Sequence, residues 1–219
     1  MMEYIYDDAI GGVELVATMG NDATPAHSAR VSFAKLSHSD ELNERDEKLI
    51  KFLANHQHTS PFEHITATFL LTVPLFVRSQ IQRHRTFSYN EVSRRYTSER
   101  IQFYSPIVIN KQAQLNLQCS SDEEVHQPED VREIIDSISK LTESVYFNLL
   151  DRGVSRETAR TVLPVNLYTS FWMTGNLLNW SKFLKLRCDQ HAQLETRLVA
   201  SAIKELLLQQ FPVSLGSLL

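Results

Sequence analysis

Six arginines fall within a short stretch of this chain: Arg78, Arg83, Arg85, Arg94, Arg95 and Arg100, opposed there only by Glu91 and Glu99. The local excess is therefore +4 in a chain whose formal net charge is -4. Arginine suits anion recognition because its planar fork matches two phosphate or carboxylate oxygens at once. A charge run is by default a solvated face, but three features argue for a site. Phe87, Tyr89 and Tyr96 interleave with the arginines, Ser88, Asn90 and Ser93 add hydroxyl and amide groups, and an apolar segment precedes the run, so one side of it must be buried. On a helix opened by Pro74 and running to about Arg85, Phe76, Gln80 and His84 share one face, with Arg83 beside Gln80. A helical turn over Glu91 to Tyr96 would gather Glu91, Arg94 and Arg95, with Ser93 next to them. Such a set suits a phosphorylated ligand that carries a polar ring.

The chain offers no Gly-rich phosphate loop. It has 6 glycines in 219 residues, and neither G-x-G-x-x-G nor G-x-x-x-x-G-K-[ST] occurs. A nucleotide must be held here by other means. The net acidity argues against a general nucleic-acid binder, although an Arg-rich nucleic-acid-binding module using Tyr89 and Tyr96 as stacking groups is the alternative reading of the basic segment.

The elements that would carry these residues follow from periodicity. Val13 to Met19 and Ile65 to Thr72 read as strands, Leu167 to Thr174 as a third, and Ile101 to Ser105 as a short one. Glu44 to Asn55 is an amphipathic helix, His56 to His64 a loop, and Thr86 to Asn90 a turn. Residues 110–128 are polar and read as a surface loop. A long helix opens at Pro128 with Glu129 and Asp130 at its positive end and stops at Gly153. Ser155 caps a short helix reaching Leu163. Leu177 to Arg187 and His191 to Gln210 are further helices, with Asp189 as a cap between them. No repeat is present, and the irregular mixture of strands and helices argues for an α+β fold with a mixed sheet packed by several long helices, in a single domain spanning 1–219.

His56, His58, His64 and His84 suggest a metal site only if a strand points the H-x-H rings one way, and no further ligands complete a tetrahedral set; structural hydrogen bonding is the expectation, and no metal. His191 and Glu195, spaced i, i+4, read as a helix-surface ion pair or a site pair. Arg187 beside Cys188 would lower that thiol's pKa, yet a free cysteine is usually a small core hydrophobe. Ser93 lacks a histidine–acid partner by spacing, so a phosphate-binding hydroxyl is favoured over a nucleophile. Two cysteines make no disulfide framework and suggest a reducing compartment. The acidic start of the chain lacks the basic region of a signal peptide, and no apolar run reaches membrane length. A cytoplasmic protein without membrane attachment is expected.

The stretch RHRTFSYNEVSRRY, from Arg83 to Tyr96, resembles the R-H-R-x7-S signature of the flavin-dependent thymidylate synthase (ThyX) family. PFEH (Pro61 to His64), LPVNLYTSF (Leu163 to Phe171) and LRCDQHAQ (Leu186 to Gln193) are similar to further family segments, so the resemblance covers most of residues 56–195. It implies a methyltransferase in dTMP biosynthesis. The C5 of dUMP would be methylated, with methylenetetrahydrofolate as one-carbon co-substrate and NADPH as reductant acting through FAD. It implies a homotetramer whose active sites lie between subunits. Carried over residue by residue, Arg83, His84, Arg85, His58, Ser60 and Asn176 would contact FAD, as would Glu91, which also belongs to the dUMP set. Gln80, Arg83, Ser93, Arg94, Arg95, Arg160 and Arg187 complete that set. Arg187 would sit against the pyrimidine and favour its ionised form. Lys182 stands at a flavin position where an asparagine is usual, and Ser60 replaces a threonine. A cysteine nucleophile would instead mark the flavin-free thymidylate synthases.

Overall fold

The protein is described by a computed structural model covering residues 1–36, 41–106 and 108–219. Its centre is a five-stranded sheet ordered β1-β2-β3-β7-β4, built from β1 (Glu3–Tyr4), β2 (Gly12–Met19), β3 (Thr66–Pro74), β4 (Ser88–Glu91) and β7 (Tyr168–Asn176). Every neighbouring pair is antiparallel. The expected mixed sheet is therefore corrected to a wholly antiparallel one. The reason lies in its two faces. Along β3, Ala67, Phe69, Leu71 and Val73 are buried, while Thr66, Thr68, Leu70 and Thr72 alternate onto the other side. On that side Thr68 meets Thr174 and Thr72 meets Ser170, each at 2.9 Å between hydroxyls, and Trp172 is exposed. A sheet with one apolar and one polar face suits antiparallel pairing, whereas parallel sheets bury both faces.

Helices cover the apolar face: α3 (Leu75–Ile81), α6 (Leu177–Arg187) and α7 (Leu194–Gln210), with α8 (Pro212–Leu218) packed on α2 (Glu44–Asn55), α6 and α7. Trp180, Phe183 and Leu184 of α6 pack in one cluster with Phe69, Val199, Ile203 and Leu207. The helices α1 (Thr24–Arg30) and α2 lie between β2 and β3 in the chain, and α2 starts in a capping box made by Asn43 and Asp46. Helix α4 (Pro128–Asp151) is followed by α5 (Arg156–Ala159). Ser155 caps α5 as expected, its hydroxyl accepting from the Thr158 backbone N–H.

Several expectations need correction. The helix from Pro74 ends at Ile81, not Arg85. The Tyr89 hydroxyl donates to the Ile81 and His84 carbonyls at 3.2 and 2.8 Å, and Phe87 turns inward against Trp180 at 4.6 Å. Burying that ring pulls the chain off the helix. Residues 88–91 form edge strand β4 on β7 instead of a turn, a tertiary pairing that no local period announces. Residues 60–64, expected as loop, make a 3-10 helix. The short strand at 101–105 is reduced to one bridge, Phe103 to Leu167. The polar 110–128 segment contains a hairpin, β5 (Asn110–Gln112) and β6 (Ser120–Glu124). Helix α7 starts at Leu194, and Asp189 caps the turn before it, accepting from the His191 N–H at 2.8 Å. Helices α1 and α8 were not foreseen; α8 is anchored by Asp22, whose carboxylate accepts the Val213 and Ser214 N–H groups at 2.7 Å each.

Candidate active site

Arg187 ends α6 and reaches back to the end of α3. Its Nε donates to His84 Nε2 at 3.0 Å and its Nη2 to the Gln80 carbonyl at 2.9 Å. Arginine can only donate, so His84 accepts through an unprotonated Nε2 and the ring is neutral. Burial and the Arg187 charge push His84 down to about 4 from its ordinary 6.5. Phe183 packs edge-on against the imidazole at 4.9 Å. The Gln80 side chain is engaged too: its amide donates to Gln193 Oε1 and its carbonyl accepts from Thr196 Oγ1 at 3.2 Å. Among the described residues no carboxylate pairs with Arg187. Asp189 holds His191 instead, at 2.8 Å from Nδ1, and these bonds from His191 keep the Asp189 carboxyl below its usual range. Glu195 is buried, accepting from Tyr104 at 3.2 Å. The i, i+4 pairing of His191 with Glu195 therefore does not form, because His191 precedes the helix.

A second group lies on another face of α3. Arg78 donates to Glu91 Oε2 from Nε and Nη2 at 2.9 and 2.6 Å, and Thr169 Oγ1 donates to Glu91 Oε1 at 2.9 Å. Glu91, Ser93, Arg94 and Arg160 line a cavity of about 270 Å³ together with Arg78 and Tyr168. Arg94 is turned to its own chain, donating to the carbonyls of Glu99 and Arg100. Burial lowers its pKa, and its guanidinium organises the loop. Ser93 Oγ accepts from the Arg95 N–H at 3.3 Å and has no base beside it. Arg95 stands apart, exposed, with Glu157 at 3.7 Å. The expected helical turn over 91–96 is thus split: Glu91 ends β4, and the turn is Ser93 to Tyr96. Side chains two positions apart on a helix leave it about 200° apart, so Arg78 and Gln80 hold the two groups on different faces of α3.

The remaining candidates lie along the surface. Arg83 and Arg85 are exposed, and their side chains make no hydrogen bond or ion pair among the described residues. Asn176 caps α6, its Oδ1 accepting from the Asn179 N–H at 2.9 Å. Lys182 is exposed on α6. His58 is exposed, edge-on to Phe52 at 6.2 Å, and Ser60 opens the 3-10 helix. His56 stacks on Phe52 at 4.0 Å and bonds its carbonyl through Nδ1 at 2.9 Å, a structural use of the ring. Cys188 is half-buried and its thiol is pushed up by that burial, in line with a small core neighbour rather than a thiol activated by Arg187. Cys119 hydrogen-bonds the His191 carbonyl at 3.2 Å, with no base adjacent.

Sequence reasoning passed over Arg78, Thr169, Gln193 and Thr196 as site residues. Arg78 was visible in the arginine run and Gln193 in LRCDQHAQ. Thr169 lay within LPVNLYTSF, and Thr196 carries no signal of its own.

The sequence model of the family described as thymidylate synthase complementing protein matches residues 14–213. A flavin-dependent thymidylate synthase of Thermotoga neapolitana is 42% identical over 202 residues, spanning 92% of this chain and 88% of the relative. One from Thermus thermophilus is 40% identical over 204 residues, 93% of this chain and 74% of its own. The crystal structure of the UMP/dUMP methylase PolB from Streptomyces cacaoi bound with 5-Br dUMP superimposes with a TM-score of 0.85 at 31% identity, covering 94% of this chain and 93% of the other. From the second strand of the sheet to the last helix, this chain belongs to the thymidylate synthase complementing protein family.

Proposed function

We propose that the chain is a flavin-dependent thymidylate synthase, a methyltransferase that converts dUMP to dTMP with methylenetetrahydrofolate as one-carbon donor and NADPH as reductant. The observation that carries this reading is the guanidinium of Arg187, fixed by His84 and the Gln80 carbonyl with its Nη1 edge unengaged among the described residues. Uracil C5 is a weak nucleophile. Without a cysteine adding at C6, the ring is activated by charge drawn onto it through ionisation at N3. A guanidinium held in advance beside N3 and a ring oxygen stabilises that anion with no reorganisation during the reaction.

FAD fits the side chains available. Arg83 and Arg85 are exposed cations without a carboxylate partner among the described residues, donors suited to a diphosphate. His58, Ser60, Asn176 and Lys182 complete the proposed flavin side, with Glu91 shared between ligands. When bound, FAD supplies the hydride that turns the transferred one-carbon unit into a methyl group. Gln80, Arg83, Glu91, Ser93, Arg95, Arg160 and Arg187 form the dUMP site, with Ser93 and Arg95 at the phosphate and Arg94 bracing the loop beneath them. Because Gln80 and Arg78, the partner of Glu91, leave different faces of α3, one chain gives two partial sites. A homotetramer that joins them between subunits follows, with residues 1–219 of each copy as one catalytic domain, placed in the cytoplasm. Among the described residues no helix is long and apolar enough to cross a membrane.

The test is spectroscopic and chemical. Purified protein is expected to show a flavin spectrum that NADPH bleaches anaerobically, and to form dTMP from dUMP and methylenetetrahydrofolate. A colourless protein with high absorbance at 260 nm would favour the Arg-rich nucleic-acid-binding reading.

A further inference from the structure

Arg187 is held by two acceptors, His84 Nε2 at 3.0 Å and the Gln80 carbonyl at 2.9 Å, and neither carries a formal charge. That pairing is unusual for a guanidinium whose most favourable partner is a carboxylate. A carboxylate would fix the group equally well but would cancel much of its field, leaving little for a ligand. Neutral acceptors fix the plane and leave the full positive charge directed outward.

We propose that His84 is the positioning residue of Arg187, a neutral acceptor that orients the guanidinium toward the pyrimidine without neutralising it. The inference rests on the reading of Arg187 given above. Three surroundings keep the imidazole in this role. Phe183 of α6 packs edge-on against the ring. Tyr89 of β4 donates to the His84 carbonyl at 2.8 Å, fixing the backbone beneath it. Gln80, whose carbonyl is the second acceptor, is itself clamped by Gln193, just before α7, and Thr196 of its first turn. Burial and Arg187 hold the ring neutral at working pH. His84 thus acts differently from its exposed neighbours Arg83 and Arg85, although the three are consecutive in the sequence.

Three substitutions separate position from charge. His84→Gln puts an amide oxygen close to the place of Nε2 and is expected to keep dTMP formation within a few-fold. His84→Leu removes the acceptor, and turnover is expected to fall on the order of 10²-fold, the effect of a misplacement near 1 Å, with a smaller change in KM for dUMP. His84→Glu restores an acceptor but adds a neutralising charge, so turnover is expected to stay low. Flavin occupancy is read from the visible spectrum in each variant, and turnover is compared per bound flavin. Combined with Arg187→Ala, His84→Leu is expected to add little, since coupled residues are not additive. Equal turnover of the Gln and Glu variants would overturn the proposal, and this comparison stands even if the Leu variant fails to fold. Losses that multiply in the double variant, or that track flavin loss, would also overturn it. If Arg187→Ala alone turns over normally, the reading of Arg187 fails and the inference falls with it. If Arg187→Ala is inactive while His84→Leu is not, the inference alone fails.

Discussion

Arg187 carries a charge that no acidic group in the described structure offsets, and burial lowers its pKa without bringing deprotonation into reach. A free guanidinium beside an apolar helix is costly to hold, which is why its two protein contacts matter. Arg187→Ala should lower dTMP formation by on the order of 10²–10³, the loss seen when one preorganised donor to a developing anion is removed. NADPH oxidation and flavin retention should persist. Lysine should recover only part of the loss, because a point charge lacks the two-pronged geometry. Turnover near that of the unaltered protein in Arg187→Ala, measured by dTMP formation, would refute the ionisation role. The sequence marked Arg187 through LRCDQHAQ but not the groups that hold it. The actual partners lie over 100 positions earlier, at Gln80 and His84. Local spacing carries no information about a contact created by packing the end of α6 against the end of α3.

The elements position these residues through one close approach in the sheet. Phe87 enters the core just before β4 and lies over Gly175 of β7, where a Cβ would come within 2.4 Å of two of its ring atoms. Gly175→Ala must therefore displace Phe87, and with it the turn that carries Arg83, His84 and Arg85. Overpacking of this kind costs about 1–3 kcal/mol. The expected outcome is a lower urea midpoint together with weaker flavin retention; an unchanged midpoint would mean that Phe87 relocates freely. Strands β2, β3 and β7 were legible because alternation with a buried face leaves a period of two, and α2, α4 and α6 because their stripes and caps are local. Edge strand β4 was not, since Ser88 to Glu91 gains its conformation from pairing with Phe171 to Thr174. The early end of α3 was hidden for the same reason: the Tyr89 hydroxyl that takes the Ile81 and His84 carbonyls arrives from outside the helix.

At the scale of the whole molecule, α4 is the exception to a well-covered core. Of its 24 residues only Ser139 and Tyr146 are buried, while Ile134, Ile138 and Leu141 are 64%, 50% and 59% exposed. Together with Val145 they form one apolar stripe at helical spacing, and a contiguous apolar face of this kind marks an association surface. The proposed occupant is a second copy of the chain, because the groups gathered around Gln80 and around the Arg78–Glu91 pair lie on different faces of α3 and need completion from outside. Light scattering should then give about four times 25.2 kDa. Replacing Ile138 and Leu141 together by glutamate places two charges in the stripe and should shift the mass to smaller species. Flavin retention and dTMP formation should fall with it, although Arg187, His84 and Gln80 are untouched in each chain. A lone subunit with the double substitution that keeps full activity would show that a single copy holds a complete site, and would remove the physical ground for the tetramer.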